Sequence, residues 1–146
     1  MRGKYRKAVF IVTYSKQERN FEYLILKRKL HWKGWEFPKG GIERFETKRR
    51  TVKREIKEET GLKILKIKKF PIKGFYNYEK ELKDRPGKIG QHYQLFAVEV
   101  VKGKVSFDKK EHAGFKWMTF KKAEEKLTWG NQKKCLKIVD SWLRYN

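Results

Sequence analysis

The chain has 146 residues, of which 38% are hydrophobic, 38% charged and 15% aromatic, a composition that fits one folded domain over residues 1–146 and excludes an intrinsically disordered chain. The formal net charge is +22, because 39 Lys and Arg residues outnumber 17 Asp and Glu residues. A charge of this sign predicts attraction to polyanions such as polyphosphates or RNA, unless the lysines serve solubility or a thermophilic habit.

The first half of the chain predicts a β-hairpin, a shaped loop and a helix. Residues 5–14 are rich in β-branched and aromatic residues, as in a buried strand, and residues 21–30 form the return strand after a polar turn. The loop at 31–41 holds two Trp, one Pro and three Gly. The helix that follows is expected to begin at Thr47, a suitable N-cap, and to end at Gly61, which suits a left-handed C-cap.

The predicted helix carries its carboxylates on one side. Glu55, Glu58 and Glu59 lie at positions i, i+3 and i+4, so their side chains converge and repel one another. A divalent cation held by oxygen ligands would offset this repulsion, and a solvated charged face is the simpler alternative. Val52 and Ile56, four residues apart, provide an apolar stripe for burial against the core.

The second half of the chain predicts another hairpin and two helices. Residues 62–78 alternate apolar and basic residues, as in an edge strand interrupted by a proline, and residues 91–100 form the partner strand. A short strand at 115–120 precedes two segments with helical periodicity, at 120–128 and 131–144.

The spacing of residues around the acidic helix is more specific than the helix itself. Gly40 is followed by five residues and Glu46, then by seven residues and the run Arg54-Glu55-Ile56-Lys57-Glu58-Glu59, one further residue, Gly61 and Leu62. This pattern resembles the Nudix box at every position, so residues 40–62 are identified as such a box. The resemblance implies the Nudix α/β/α sandwich, a mixed β-sheet between helical layers. The order of elements is compatible with that fold but would not have identified it.

The resemblance implies a hydrolase that cleaves phosphoanhydride bonds of nucleoside polyphosphates with Mg²⁺ or Mn²⁺ as its cofactor. It implies that Glu58 and Glu59 are metal ligands and that Glu55 is a metal ligand or the general base. Glu46 is expected to assist from the entrance of the helix. Arg54 is expected to orient the glutamates through ion pairs rather than to contact the substrate.

Residues outside the box complete the implied site. The backbone carbonyl of Lys39 is expected among the metal ligands, and its ammonium group could reach a phosphate. Glu111 is the candidate for an additional metal-binding carboxylate. The segment 111–127 is similar to a loop of diadenosine tetraphosphate hydrolases that closes over the polyphosphate. His112 is therefore a candidate phosphate donor, with an exposed histidine that has no role as the alternative.

Base recognition is expected from an aromatic side chain of the second hairpin, as in other members of the family. Phe75, Tyr76, Tyr78 and Tyr93 are available, and strand alternation places Tyr76 and Tyr78 on one face. We expect Tyr78 to stack on the base, with Tyr76 and Tyr93 as further candidates. At least two of the four aromatic residues are expected in the core.

The first functional prediction is an asymmetrical diadenosine tetraphosphate (Ap4A) hydrolase, which acts on a dinucleoside polyphosphate. An RNA 5′-pyrophosphohydrolase is the alternative, because residues 35–42 and 89–100 are similar to enzymes that trim 5′-triphosphate RNA and the charge of +22 suits a long polyanion. A Nudix-fold module that binds RNA without hydrolysis is the alternative from another class. The complete set of box carboxylates argues against that module.

The cysteine content and hydropathy pattern predict a cytoplasmic protein. The single cysteine, Cys135, excludes an intramolecular disulfide and fits a reducing compartment. No apolar run approaches the length of a membrane span, and residues 1–10 lack the pattern of a signal peptide. We therefore expect no membrane partner, and the oligomeric state cannot be derived from the sequence.

Overall fold

The computed structural model describes residues 4–145, which form seven strands and three helices. The strands are β1 (Lys4–Lys16), β2 (Phe21–Arg28), β3 (Gly34–Glu36), β4 (Lys39–Gly41), β5 (Ile64–Asn77), β6 (Lys88–Val100) and β7 (His112–Met118). The helices are α1 (Lys48–Thr60), α2 (Phe120–Lys126) and α3 (Gly130–Tyr145). Over residues 4–145, none of the helices has both the length and the apolar character needed to cross a membrane.

All seven strands belong to one mixed sheet. Its main path is β3-β2-β1-β6-β5, while β4 pairs with β1 and β7 pairs with β2. The two central strands, β1 and β6, run parallel, and the other pairs are antiparallel. The two predicted hairpins, β1–β2 and β5–β6, are confirmed.

Helices cover both faces of this sheet because its central strands are apolar on both sides. Val9 and Ile11 of β1 pack against α1, whereas Phe10 and Val12 point to the opposite face and pack in the cluster that contains residues of α2 and α3. Each side chain of this kind contributes about 1.5–3 kcal/mol when it is fully buried. The predicted α/β/α sandwich with a mixed sheet is confirmed.

Both predicted ends of α1 are confirmed. The Thr47 hydroxyl accepts a hydrogen bond from the Arg50 amide, and Gly61 has a left-handed backbone with φ of 68°. The Gly61 amide donates to the carbonyl oxygens of Ile56 and Lys57, which satisfies groups that the last helical turn leaves unpaired.

The loop predicted at 31–41 contains two strands that the sequence analysis did not predict. β3 pairs with β2, and the glycine-rich β4 pairs with residues 8–10 of β1. Three-residue strands show too few alternating positions to be recognised from a pattern. β7 also begins earlier than predicted, at His112, because residues 112–118 pair with β2.

Candidate active site

β4 brings its backbone into contact with α1. A Cβ atom at Gly40 would overlap the carboxyl group of Glu55, so a larger residue here would displace that carboxyl group. The amide of Lys39 donates to Glu59 Oε2 at 3.3 Å. β4 therefore holds two box glutamates, Glu55 and Glu59, against the backbone of the sheet.

Arg54 gathers the outer glutamates of the site. Its Nε and Nη2 atoms donate to Glu46 at 2.7 and 2.9 Å, and its Nη1 donates to Glu55 at 2.8 Å and to Glu58 at 3.2 Å. Nη2 also donates to the carbonyl of Gly41 at 2.9 Å. The hydrogen bonds from Arg54 lower the pKa of Glu46 to about 2. The structure thus brings Arg54 to the glutamates that it was expected to orient, and its catalytic role stays a prediction.

A second group of residues, the paired cluster, lies deeper and consists of Glu36, Arg28, Lys39 and His112. Glu36 is completely buried, and its carboxylate lies 3.2 Å from Arg28 Nη1, 3.7 Å from Lys39 Nζ and 3.0 Å from His112 Nε2. The indole of Trp32 donates to the same carboxylate at 3.3 Å. Burial alone would raise the pKa of Glu36, but Lys39, His112 and Arg28 outweigh it and lower the pKa to about 2. This carboxylate is therefore fully paired within the protein.

A third group, the open carboxylate cluster, consists of Glu55, Glu59 and Glu111. Burial raises the pKa of Glu55 to about 7, and burial together with Glu55, Glu36 and Glu111 raises the pKa of Glu59 well above its usual range. Ligand atoms of Glu59, Glu111 and His112 lie within 4.8 Å of one another, and the buried Nδ1 atom of His112 has no hydrogen-bond partner. Glu55 lies 2.8 Å from Arg54 Nη1 and Glu111 lies 3.7 Å from Arg28 Nη1, and these two contacts leave the cluster acidic overall. Buried carboxylates with too little compensating charge, beside an unpaired imidazole nitrogen, are a donor set that fits a divalent cation.

A cavity of about 370 Å³ opens next to these groups. Trp32, Tyr76, Tyr78 and Trp129 are among the residues that line it, together with Lys39. The Lys39 ammonium group lies 4.5 Å from the centre of the Trp32 ring and donates to the Tyr76 hydroxyl at 3.1 Å. The ammonium group of Lys39 thus links the cavity to Glu36, while the backbone amide of the same residue donates to Glu59.

Two arginines, Arg6 and Arg85, share a hydrogen-bond partner with the tyrosines of the cavity. With its amide oriented to match its neighbours, Gln91 accepts hydrogen bonds from Arg6 and Arg85 at 2.9 Å and from the Tyr78 hydroxyl at 3.1 Å, and it donates to the Tyr76 hydroxyl at 2.7 Å. Burial and the proximity of Arg85 lower the pKa of Arg6. One buried amide thus fixes both tyrosines and holds two guanidinium groups side by side, an arrangement that suits a polyanionic ligand.

The structure places some of the expected substrate-binding residues at the cavity and others away from it. Lys39, Tyr76 and Tyr78 line the cavity, and the predicted common face of the two tyrosines is confirmed. Tyr93 stacks on Phe10 with a centroid separation of 3.8 Å and an interplanar angle of 5°, and burial raises its pKa to about 12. Tyr76 and Tyr93 are partly buried and pack against the core, and none of the four aromatic residues is a fully buried core residue. Tyr93 does not line the cavity.

His112 is completely buried beside Glu36, so the exposed alternative is wrong. In this position its ring contacts the paired cluster rather than open solvent. The sequence analysis missed Glu36, Arg28 and Trp32. The available signal was the position of Glu36 between two aromatic residues, since an isolated acid in such surroundings indicates a buried and paired carboxylate.

The fold and the site together define a class of protein. Buried carboxylates that need a cation lie next to a cavity lined by aromatic rings and basic groups, which is the arrangement required to hold and cleave a nucleotide polyphosphate. A family model described as NUDIX domain matches residues 4–137. The chain belongs to this family and is a Nudix pyrophosphohydrolase, and Nudix hydrolases use divalent metals.

Comparison with individual proteins supports this assignment. The chain is 33% identical over 104 residues to an RNA pyrophosphohydrolase of a Nitratiruptor species, and the match covers 69% of this chain and 67% of that protein. It is 27% identical over 143 residues to an RNA pyrophosphohydrolase of a Sulfurovum species, with coverage of 92% and 89%.

Solved structures with the same fold include a NUDIX hydrolase of Listeria monocytogenes and an Ap4A hydrolase of C. elegans. The first has a TM-score of 0.76 and 23% identity, with coverage of 94% of this chain and 93% of that chain. The second, a binary complex, has a TM-score of 0.71 and 23% identity, with coverage of 95% and 98%. Similarity at this level of identity shows the fold.

Proposed function

We propose that the protein hydrolyses the 5′-triphosphate end of RNA, so that water and the triphosphate yield pyrophosphate and a 5′-monophosphate RNA. The position of Lys39 carries this proposal, because its backbone amide donates to Glu59 while its ammonium group lies at the aromatic cavity, so that a phosphate chain beside Glu59 would place its terminal base in the cavity. The two RNA pyrophosphohydrolase relatives and the charge of +22 favour RNA as the substrate. From the sequence alone an Ap4A hydrolase comes first, and these relatives reverse that order.

In this proposal Mg²⁺ or Mn²⁺ is held by Glu58, Glu59 and Glu111, with the backbone carbonyl of Lys39. When bound, a divalent cation neutralises phosphate oxygens and lowers the pKa of a water molecule. Glu55 accepts the proton of the attacking water, as the buried carboxylate of α1 that is not assigned to the cation.

Positioning groups support these residues. Arg54 holds Glu55 and Glu58 at 2.8 and 3.2 Å, and Glu46 in turn holds Arg54. Fixing the carboxylates in this way removes a reorganisation step before water attacks. His112 acts through the charge of Glu36 rather than by contact with a phosphate.

The cavity receives the 5′-terminal nucleoside in this proposal. Tyr78 stacks on the base, because its ring lines the cavity and its hydroxyl is fixed by Gln91 and Arg85. Arg6 and Arg85 supply positive charge to the phosphate chain. We place the reaction in the cytoplasm, where a free buried thiol such as Cys135 stays reduced.

Hydrolysis of Ap4A is the second candidate. The observation that favours it is the segment 111–127, which resembles a loop of Ap4A hydrolases and which places Glu111 beside Glu59. Both substrates present a chain of phosphates joined to a nucleoside, at one end in 5′-triphosphate RNA and at both ends in Ap4A, so the same carboxylates and cavity would serve either reaction. The difference lies in the RNA chain that follows the first nucleotide.

The proposal is tested by measuring kcat/KM for a short 5′-triphosphate RNA and for Ap4A with Mg²⁺ and with Mn²⁺. At low salt we expect kcat/KM for the RNA to exceed that for Ap4A by more than about tenfold. This ratio should decrease as the salt concentration rises, because RNA binding releases more counterions. The products should be pyrophosphate and 5′-monophosphate RNA. A preference for Ap4A at every salt concentration would overturn the RNA assignment, and no release from either substrate would overturn both candidates.

A further inference from the structure

One end of the sheet extends beyond α1 and leaves a face uncovered. α1 covers the part of this face that includes Val9 of β1 and Phe96 of β6. Paired residues of neighbouring strands point to the same side, and alternate residues of a strand share a face. Lys7 and Phe75 both pair with His92, so these three residues continue the α1 face past the end of the helix.

Three rings form a platform on this uncovered face. The ring centroids of Tyr5 and His92 are 4.4 Å apart, and Phe75 lies 5.8 Å from each of them. The Tyr5 hydroxyl donates to Asn77 Oδ1 at 2.6 Å, which fixes the platform at the end of β5. Phe75 is 62% exposed despite its size. Single exposed apolar residues are common, but a cluster of contacting rings in solvent indicates a surface that contacts another molecule.

Lysines border the platform. Lys73 pairs with Gln94 on β6, whose amide oxygen accepts a hydrogen bond from Lys48 Nζ at 3.1 Å. Lys69 of β5 pairs with a later residue of β6, and Lys7 lies on β1, which is the other neighbour of β6 in the sheet. Burial lowers the pKa of Lys48, and the charges of Lys73, Lys69 and Lys7 lower it further. Four ammonium groups in this proximity repel one another, and a bound polyanion relieves that repulsion.

The platform and the lysines lie apart from the cavity but within reach of the carboxylates. Phe75 and Tyr76 are neighbours in β5, so their side chains point to opposite faces of the sheet, and Tyr76 lines the cavity. Lys48 precedes Glu55 by seven residues of α1, which corresponds to about 10 Å along the helix. Because β5 is the last strand on the path of the sheet, an RNA strand that leaves the cavity at Tyr76 can pass around β5 and reach Phe75 within a few nucleotides.

We propose that the basic aromatic patch, formed by Tyr5, Phe75 and His92 with Lys7, Lys48, Lys69 and Lys73, binds the single-stranded RNA that follows the reacting 5′ end, a role that rests on the RNA substrate proposed above. Bases stack on Phe75, and the lysines contact phosphates, which is how proteins bind single strands without sequence preference. The patch thus distinguishes RNA from a dinucleotide, since Ap4A is too short to occupy both the cavity and the patch.

The test compares two triple variants that remove equal charge. K48Q/K69Q/K73Q alters the patch, and K121Q/K122Q/K134Q alters α2 and α3 as the control. Binding is measured with a 5′-hydroxyl RNA of about 12 nucleotides, within the range that one single-strand binding module covers, across a range of salt. Because this RNA carries no triphosphate, its binding does not depend on the proposed reaction. F75A, with an alanine on the platform, is measured alongside.

We expect the patch variant to bind the RNA at least about tenfold more weakly and to reduce the slope of log affinity against log salt by about two, as expected for three lost phosphate contacts. F75A should weaken binding by at least about fivefold. The control triple should change binding less than about threefold, since a distant charge acts only through the general field. The far-ultraviolet circular dichroism and the melting temperature of all variants should match those of the wild type within a few degrees, which verifies that they are folded.

Equal weakening by the two triple variants would overturn the patch, because the general charge of the protein would then explain binding. Unchanged binding of the RNA by K48Q/K69Q/K73Q would overturn it as well. Failure of the proposed reaction gives a different result. In that case the wild type leaves 5′-triphosphate RNA intact, while the 5′-hydroxyl RNA still binds through the patch.

Discussion

The paired cluster and the open carboxylate cluster place glutamates in similar burial with opposite consequences. Glu36 and Glu59 are 0% and 2% exposed, and yet the pKa of Glu36 is lowered to about 2 whereas the pKa of Glu59 is raised well above its usual range. The difference lies in their neighbours. Glu36 is surrounded by Lys39, His112 and Arg28, while the neighbours that act most on Glu59 are other carboxylates.

This contrast indicates which buried glutamate stabilises the fold and which is available to bind a metal ion. A buried carboxylate surrounded by cationic side chains has its charge neutralised within the protein, and removing it leaves those side chains unpaired. A buried carboxylate beside other carboxylates needs a proton or a cation from solution to become neutral. Glu36 therefore stabilises the fold around the site, and Glu59 leaves the site ready to bind a divalent ion.

The largest expected effect is the loss of activity in Glu59→Gln. The variant removes a charge from the open carboxylate cluster, so we expect kcat to fall by about 10³-fold or more while the fold is retained. Steady-state hydrolysis with Mg²⁺ measures this, and Glu125→Gln on the exposed side of α2 is the matched control. A Glu59→Gln enzyme with more than about a tenth of wild-type activity would contradict the assignment.

The next effect is a loss of stability in Glu36→Gln. Because Lys39 would then be buried without its anion and Arg28 would keep only Glu111 at 3.7 Å, we expect the free energy of unfolding to fall by about 3 kcal/mol or more. Denaturant unfolding monitored by circular dichroism measures the change. A loss below about 1 kcal/mol would mean that the two clusters do not differ in the way proposed.

Arg54→Lys should separate activity from stability. Lysine cannot reproduce the contacts with Glu46, Glu55 and Glu58, so we expect activity to fall by about 10–100-fold. Arg54 is 22% exposed, and solvent limits the loss of unfolding free energy to about 1 kcal/mol. Kinetics and thermal unfolding of the same preparation test both statements. A large loss of stability with full activity would reverse the proposed roles.

The smallest expected effect is a pH dependence of stability in the metal-free protein, which has opposite directions for the two clusters. The pKa of Glu55 is about 7 against an ordinary value of 4.5, so its favourable contribution is present below pH 4.5 and is lost as the pH rises through 7. The pKa of Glu36 is about 2, so its contribution is present above pH 4.5 and is lost as the pH falls through 2.

Wild-type protein in EDTA should therefore melt at a lower temperature at pH 8 than at pH 6, and Glu55→Gln should show a smaller difference. Added Mg²⁺ should raise the melting temperature at pH 8, because the ion replaces the lost protons. Equal pH dependence of wild type and Glu55→Gln would show that another group is responsible.

Local features of the chain were predictable because they depend on neighbours in sequence. The limits of α1 follow from Thr47 and Gly61, and the convergence of Glu55 and Glu59 follows from helical spacing. The face of the sheet that carries Tyr76 and Tyr78 follows from strand alternation. By contrast, β4 was not predictable, because three residues rich in glycine carry no periodic signal.

By itself, the sequence determined the acidic helix, the two hairpins, the Nudix family and the set of carboxylates that could hold a metal. Only the tertiary structure decided that Glu36 is paired whereas Glu59 lacks compensating charge, that Gln91 holds Arg6 beside Arg85, and that Phe75 stands exposed on the face opposite the cavity. The physical reason is that burial and charge pairing depend on contacts between distant segments. Each of these residues owes its environment to neighbours supplied by strands and loops far away in the chain.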